Sequence, residues 1–328
     1  MQIAVTGSIA TDHLMQFSGR FADSLVVDQL DKISLSFLVD DLEVRRGGVA
    51  GNIAFGMGSL GLRPLLVGAV GQDFGEYRAW LDEHGVDTSA VRVSETRHTA
   101  RFVCTTDRDT AQIATFYSGA MSEAREIELA PLAGRQGGLD LVVIGANDPD
   151  GMLRHTAECR DHGYPFLADC SQQLAFMERD GIRALIDGAR YLFTNEYEAG
   201  LTEQKTEWSA AEILDRVGTR VTTLGADGAR IESKDAPTVH VKAVPVREIS
   251  EPTGAGDGFR AGFLAGLAWE LDHVRCAQLG SVLAAYVLEV DGPQEYGFEK
   301  KAFLQRFTDV FGADAAADVE PHLLGAGA

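Results

Sequence analysis

The densest run of chemically capable residues is Glu251-Pro252-Thr253-Gly254-Ala255-Gly256-Asp257-Gly258-Phe259-Arg260-Ala261-Gly262-Phe263, a small-residue loop feeding an apolar-periodic stretch to Leu271. Small side chains let successive backbone N–H groups converge on one anion, and the unsatisfied amides and positive dipole end of the following helix favour the same occupant. Phosphate can be held in this way without a cluster of basic side chains. Asp257 stands at the start of that helix, where a carboxylate ordinarily caps orphan amides. A cap alone gives the three neighbouring small residues no purpose, whereas a general base beside an anion hole does.

Three further clusters have weaker but compatible chemistry. Gly47-Gly48-Val49-Ala50-Gly51-Asn52 sets glycines before a helix with Asn52 on its first turn. That arrangement suits close backbone approach to a polar ligand, and equally suits tight helix–sheet packing with a cap. Just downstream, Gly56-Met57-Gly58-Ser59-Leu60-Gly61 spells the dinucleotide pattern G-x-G-x-x-G. It closes a helical stretch and precedes a strand, the reverse of the order that pattern needs. Asn195-Glu196-Tyr197-Glu198 follows the run Tyr191-Leu192-Phe193-Thr194, and so falls at a strand's carboxyl end, where open α/β sheets bind ligands. Glu198 there can act on a hydrated Mg2+, or simply favour the helix dipole. Thr222-Thr223-Leu224-Gly225-Ala226-Asp227-Gly228 reads as a strand ending in a Gly-flanked turn.

The elements that must position these groups alternate. Apolar strand-like runs at 3–6, 64–70, 139–144, 166–169, 191–194 and 221–224 are separated by helical patterns at 74–84, 150–162 and 208–217, with Gly85, Gly163 and Gly218 as stops. That alternation implies an α/β fold, and the near-continuous apolar run Leu139 to Ile144 implies a parallel strand covered on both faces. Two segments depart from this rhythm. The stretch Ser34-Leu35-Ser36-Phe37-Leu38-Val39 alternates like a strand, and 99–106 and 111–117 form a hairpin around Asp107-Arg108-Asp109-Thr110. They read as a small β flap whose apolar face, Leu35, Phe37 and Val39, requires a cover such as a second copy of the chain.

Composition removes several function classes. The 328 residues carry 45% hydrophobic and 24% charged side chains, ordinary for a globular protein. With 29 Lys and Arg against 49 Asp and Glu the net charge is −20, which repels a polyphosphate backbone and argues against a nucleic-acid partner. No apolar run approaches a membrane-spanning length and the N-terminus has no basic leader, so a cytoplasmic protein is expected. The cysteines, Cys104, Cys159, Cys170 and Cys276, have no metal or redox spacing, and no lysine follows a glycine as a P-loop requires.

In this order and at these separations, Gly47-Gly48 with Asn52, Asn195 to Glu198, and Thr253-Gly254-Ala255-Gly256-Asp257 resemble the ribokinase-like (PfkB) family of carbohydrate and nucleoside kinases, over nearly the whole chain. The opening Thr6 to Asp12, the flap with Ser36, Phe102 and Phe116, and Gln172-Gln173 resemble the bacterial adenosine-phosphorylating members most. The resemblance implies a doubly wound, mostly parallel sheet flanked by helices (1–12, 47–98 and 119–328) with a small β lid (13–46 and 99–118). It implies transfer of the γ-phosphoryl group of ATP to the 5′-hydroxyl of adenosine. Asp257 then matches the general base and the amides of Gly254, Ala255 and Gly256 the anion hole.

Asp12, Gly48 and Asn52 match the groups that take the sugar, with Ser8, Ser36, Phe102, Phe116, Gln172 and Gln173 completing the nucleoside site. Asn195, Thr223, Gly225 and Gly228 match the ATP region and Glu198 a Mg2+ contact through water. The family pattern D-T-G-A-G-D, whose first Asp helps form a monovalent-cation (K+) loop, is replaced here by Glu251-Pro252-Thr253. The apolar flap face of Leu35, Phe37 and Val39 leads to the further expectation of a homodimer through the lid. The competing expectations are a ribose or fructose kinase of the same family, for which flap aromatics are needless, and a nucleoside-binding protein without turnover, for which Asp257 and Glu198 are needless.

Overall fold

Ile3–Thr6 (β1) sends Ile3 and Val5 into one hydrophobic layer and Ala4 into the other, the period of two expected of a strand covered by helices on both faces. In the computed structural model, which describes residues 1–24, 32 and 34–325, β1 is near one edge of an eight-stranded sheet. The remaining strands are Ala10–Phe17 (β2), Asp41–Gly47 (β3), Leu65–Val67 (β4), Ala69–Val70 (β5), Arg92–Val93 (β6), Ala100–Asp107 (β7) and Gln112–Tyr117 (β8). They continue with Leu141–Ile144 (β9), Phe166–Ala168 (β10), Tyr191–Asn195 (β11), Thr219–Thr223 (β12), Ala229–Ser233 (β13) and Val239–Val241 (β14).

The large sheet has the order β14-β13-β12-β11-β10-β9-β1-β4. It is parallel from β4 through β12, and β13 and β14 are added antiparallel. The expected α/β class and mostly parallel sheet are therefore observed. The expected strand at 64–70 is split at Gly68, where a Cβ would lie 2.9 Å from the Gly7 carbonyl oxygen. The helices Gly75–Glu83, Pro149–His162 and Ala210–Arg216 occupy the expected stretches, and Gly85 and Gly163 have the left-handed φ of 83° and 70° that suits glycine after a helix. Gly56 and Gly58 lie within helix Val49–Ser59, and a Cβ on Gly58 would come 2.0 Å from the His84 carbonyl oxygen. They are packing glycines, as the rejected dinucleotide pattern suggests.

The helix that follows the glycine-rich loop, Ala255–Ala268, is locked against His273–Leu288 by a glycine contact. A Cβ on Gly262 would meet the Leu279 carbonyl at 2.6 Å and Gly280 Cα at 2.7 Å. Buried Phe259, Phe263, Leu279 and Leu283 fill the layer around this contact, so the loop rests on a rigid base.

A second sheet, β3-β2-β7-β8, stands over the carboxyl ends of the large sheet. It begins at Ala10, only Gly7, Ser8 and Ile9 after β1, and its second strand reaches Gly47. Residues 25–31 and 33 of the expected lid lie outside the described residues. The stretch 34–39 is not a strand, which corrects the flap expectation. Phe37 instead packs on Phe17 and Phe21, with ring centroids 4.9 Å from each, and Leu38 is 84% exposed. The Phe37 ring finds cover within its own chain, so no alternating face of Leu35, Phe37 and Val39 forms. Among the described residues no helix is long and apolar enough to cross a membrane.

Candidate active site

Register across the small sheet aligns Arg45, Asp12, Phe102 and Phe116 as successive cross-strand partners on β3, β2, β7 and β8. Alternation puts all four on the face toward the large sheet, where they line a cavity of about 520 Å3. Its floor comes from the carboxyl ends of β1, β9 and β10: Ser8, Asn147, Gln172 and Gln173. Helix Val49–Ser59 adds Asn52, and Gly48 precedes it with φ 91°. A Cβ on Gly48 would meet the Ser8 carbonyl oxygen at 2.5 Å, so this glycine serves close approach to the β1–β2 connection. The Ser8 hydroxyl accepts from the Val49 N–H at 3.0 Å and so supplies the helix cap that the sequence alone leaves unassigned.

Asp257 closes the far wall. Gly254, with φ 82°, holds the cap position of its helix, so Asp257 is a first-turn residue and not the cap. A Cβ on Gly254 would lie 2.4 Å from Pro293 Cβ, which leaves room for glycine only. Asp257 Oδ2 accepts from Asn52 Nδ2 at 2.8 Å. Burial pushes its carboxyl up to about 6. Arg260 and the Asn52 hydrogen bond pull it down, and the Asp169 and Glu198 carboxylates push the same way as burial. Arg260, one turn along the helix, is buried in an ion pair with Asp169, at 2.5 Å from Nε to Oδ2 and 2.7 Å from Nη2 to Oδ1.

Asp12 is also pushed up to about 6, by burial and by the Glu251 charge, against the pull of Arg45. Arg45 joins the two sheets' territories: it grips Glu43 at 2.7 and 2.8 Å and pairs with Glu251 in the anion loop. The position directly before Thr253 is Pro252, and the carboxylate one residue earlier, Glu251, is the one engaged by an arginine of the small sheet.

On the other side of Asp257 lies a second cavity, of about 600 Å3, lined by Asn195, Glu198, Thr223, Gly225, Gly254, Gly256 and Arg260. It shares Val49, Gln172 and Asp257 with the first. A third, of about 260 Å3, continues from Thr223, Gly225 and Gly256 to Gly228 and the apolar wall of Val244, Phe259 and Leu288. Gly254 and Gly256, at the N-terminus of helix Ala255–Ala268, line the second cavity, and Ala255 and Gly256 the third, while the Ala255 N–H donates to the Pro252 carbonyl at 3.2 Å.

Asn195 and Glu198 form a capping box, each side chain accepting the other's backbone N–H at 2.8 Å. The helix-terminus role weighed for Glu198 is thus real, and its carboxylate still borders the cavity. No three His, Cys, Asp or Glu side chains among the described residues gather to cage a cation. Glu196, Glu198 and Asp257 border the second cavity without forming such a cage, a setting suited to a Mg2+ held mainly by phosphate oxygens and water.

Of the residues expected from the sequence, Ser8, Asp12, Gly48, Asn52, Phe102, Phe116, Gln172, Gln173 and Asp257 come together around the first cavity. Asn195, Glu198, Thr223, Gly225, Gly254 and Gly256 border the second, and Ala255 and Gly228 the third. Ser36 is exposed and is not among the lining residues. The side chain of Gln173 is already engaged, Nε2 donating to the Asn147 carbonyl at 2.8 Å. Sequence reasoning missed Arg45, Glu251 as its partner, and Asn147, whose buried Nδ2 has no acceptor among the described residues. Arg260 stands within the quoted motif stretch, where its charge four residues after Gly256 was a readable signal.

The profile of the pfkB family carbohydrate kinases matches residues 12–301. The chain belongs to this family. As a pfkB-family kinase, and so a phosphotransferase, it is similar to the nucleoside kinase of Burkholderia thailandensis, whose structure in complex with inosine superposes with a TM-score of 0.83 at 34% identity. That match covers 95% of this chain and 99% of the other. It is also 29% identical over 289 residues to the nucleoside kinase of Methanothermobacter thermautotrophicus, spanning 87% of this chain and 92% of that one. The nucleoside kinase of Methanocaldococcus jannaschii is 26% identical over 270 residues, 82% of this chain and 87% of that protein.

Proposed function

We propose that this kinase transfers the γ-phosphoryl group of ATP to the 5′-hydroxyl of adenosine. The observation that carries the reading is the position of Asp257: an aromatic-walled cavity opens on one side of its carboxylate and an amide-lined, glycine-rich cavity on the other. A nucleoside lies in the first with its base against Phe102 and Phe116, aromatic faces suited to stacking, and its sugar hydroxyls toward Asp12 and Asn52. Ser8, Gly48, Gln172 and Gln173 complete that wall, and Ser36 reaches it only if its segment moves. The nucleotide lies along the second and third, its phosphates at Gly254 and Gly256 and at Asn195, its adenine past Thr223, Gly225 and Gly228.

Asp257 takes the 5′-hydroxyl proton as the new O–P bond forms, the bond from phosphorus to the β,γ-bridging oxygen breaks, and ADP leaves. A carboxyl near 6 is ionised at neutral pH yet far more basic than an ordinary aspartate, which favours proton transfer. The helix N-terminus and Arg260 meet the charge on the transferring group. Glu198 would hold a Mg2+ through water, and that ion would neutralise charge on the phosphates.

We also propose that two copies associate through the outer face of the small sheet. Register places Leu42, Met15, Thr105 and Ile113 in one cross-strand row of that face, and Val44, His13, Val103 and Thr115 in the next. Leu42 and Val44 are each 54% exposed and Ile113 47%. This face, in place of the expected Leu35, Phe37 and Val39, is the one that requires a cover.

The test is a panel with ATP and Mg2+, following ADP formation with adenosine, inosine, ribose, fructose and fructose 6-phosphate. Adenosine should be turned over best. Equal or faster turnover of inosine would broaden the reading to purine nucleosides, and ribose or fructose far above both would overturn it. No turnover of any substrate, with nucleoside still bound, would favour a binding protein.

A further inference from the structure

Behind the Asn52–Asp257 hydrogen bond lies a buried chain of polar groups that the mechanism above does not use. Gln294 is 1% exposed, in the loop after helix His273–Leu288. Its Nε2 donates to Asn52 Oδ1 at 2.9 Å and to the Tyr77 hydroxyl at 2.5 Å. The Tyr77 hydroxyl in turn donates to the Gly47 carbonyl at 2.9 Å.

The two ends of this chain fix its polarity. A backbone carbonyl can only accept, so the Tyr77 proton must point at Gly47 and the phenol oxygen must accept from Gln294. That commits the Gln294 amide nitrogen to this side, and its second hydrogen goes to Asn52 Oδ1. The Asn52 amide then has one orientation left, with its NH2 aimed at the Asp257 carboxylate. Turned the other way, Asn52 would set a carbonyl oxygen against a carboxylate. The two orientations of an amide are nearly equal in shape, so only its partners choose between them.

We propose that Gln294 is a positioning residue for phosphoryl transfer: it holds the Asn52 amide with its N–H groups turned toward the Asp257 carboxylate. This rests on the reading of Asp257 as the general base. The other groups facing Asp257 are Arg260 on its own helix, Asp169 after β10, Glu198 after β11, Asp12 on β2, and the phenols Tyr77 and Tyr296. Arg260, Asp169, Glu198, Asp12 and Tyr296 make no hydrogen bond to Gln294 and keep their influence in a Gln294 variant, whereas Tyr77 loses a donor but keeps its own bond to the Gly47 carbonyl.

The experiment is a cycle of Gln294→Met, Asn52→Ala and the double variant, read as kcat and KM for adenosine with ATP. Gln294→Met should lower kcat/KM by roughly 10- to 100-fold, the scale of a misplaced group near the reacting atoms. In the Asn52→Ala background the same change should cost less than about threefold, because the residue it acts through is gone. The acid limb of the pH profile should move to higher pH in Gln294→Met by about 0.5 or more, since Asp257 loses a donor. Gln294→Glu should move it in the same direction, because an acceptor there pulls the Asn52 NH2 away from Asp257.

A merely structural role predicts a lower melting temperature, equal losses in both backgrounds and an unmoved limb, and that result would overturn the proposal. Should Gln294→Met fail to fold, Tyr77→Phe removes the anchor but keeps Gln294, and must also be non-additive with Asn52→Ala. The Asp257 carboxyl can be titrated by 13C NMR without substrate, in wild type and Gln294→Met. If wild type phosphorylates no nucleoside, the functional reading fails, and this titration still decides the positioning: an upward displacement supports it and none refutes it.

Discussion

Replacing Asp257 by Asn should make the protein more stable at neutral pH while nearly abolishing turnover. The fold raises this carboxyl from 3.8 to about 6, so the native state holds the proton more tightly than the unfolded chain does. As pH rises through that interval the native protein must charge a group that the unfolded chain charges more easily, and stability is lost. Above about pH 6 the loss is complete, and two pH units at about 1.4 kcal/mol each put it near 3 kcal/mol as an upper figure. Asparagine carries no charge at any pH, and its oxygen can still accept from Asn52 Nδ2.

In differential scanning calorimetry the variant should therefore melt a few degrees above wild type at pH 7.5. The difference should vanish near pH 4. In a coupled assay of ADP release with adenosine, kcat should fall by about 10²- to 10⁴-fold, the usual worth of general-base assistance. Near-wild-type turnover together with a fall in melting temperature at pH 7.5 would refute the reasoning, because it would make the carboxylate a structural anchor of the helix.

Two further changes test the walls of the cavity and the outer face. Phe102→Ala should weaken adenosine binding by about 1–3 kcal/mol, the worth of stacking one base, and leave any turnover of ribose nearly unchanged. Equal losses on both substrates, measured by their KM values, would remove the ring from base recognition. Val44→Asp should convert a sedimenting dimer to monomer, because it sets a charge in the middle of an exposed apolar row; wild type that sediments as a monomer at micromolar concentration would refute the association.

The parts that the chain announces are those whose signal is local. Buried parallel strands need unbroken apolar runs, which is why 139–144 and 191–194 stand out. The loop before helix Ala255–Ala268 stands out by its three glycines around one carboxylate, Gly254, Gly256 and Gly258 beside Asp257, and close packing of Gly254 on Pro293 and of Gly258 on Val287 adds to that signal. Strands β2, β3, β13 and β14 carry little such signal, because one face meets solvent or a polar cavity; Asp41–Gly47 reads Asp-Leu-Glu-Val-Arg-Arg-Gly. The segment 34–39 misleads for the converse reason: alternation is necessary for a half-buried strand but is not sufficient, and Phe37 is satisfied by rings of its own chain. Arg45 with Glu251, and Gln294 with Asn52, are separated by 206 and 242 residues. Their pairing is a product of the tertiary fold and has no periodicity to betray it.

The passage from β1 into β2 has a mechanical consequence. Ser8 is pinned on both sides, its N–H to the Ala146 carbonyl at 2.9 Å and its own carbonyl to the Ala50 N–H at 3.0 Å. Any flexing that admits a nucleoside must therefore pivot beyond it, around Ile9 and Ala10. The return crossing is at Gly47 and Gly48, and the Gly47 carbonyl is the terminus to which the Tyr77 hydroxyl is tied. Swinging the small sheet outward thus strains the same tether that runs through Gln294 and Asn52 to Asp257. On the proposed mechanism, this tether would tie the alignment of the Asp257 base to the position of the small sheet, so that an outward swing would also disfavour transfer of the phosphoryl group to water.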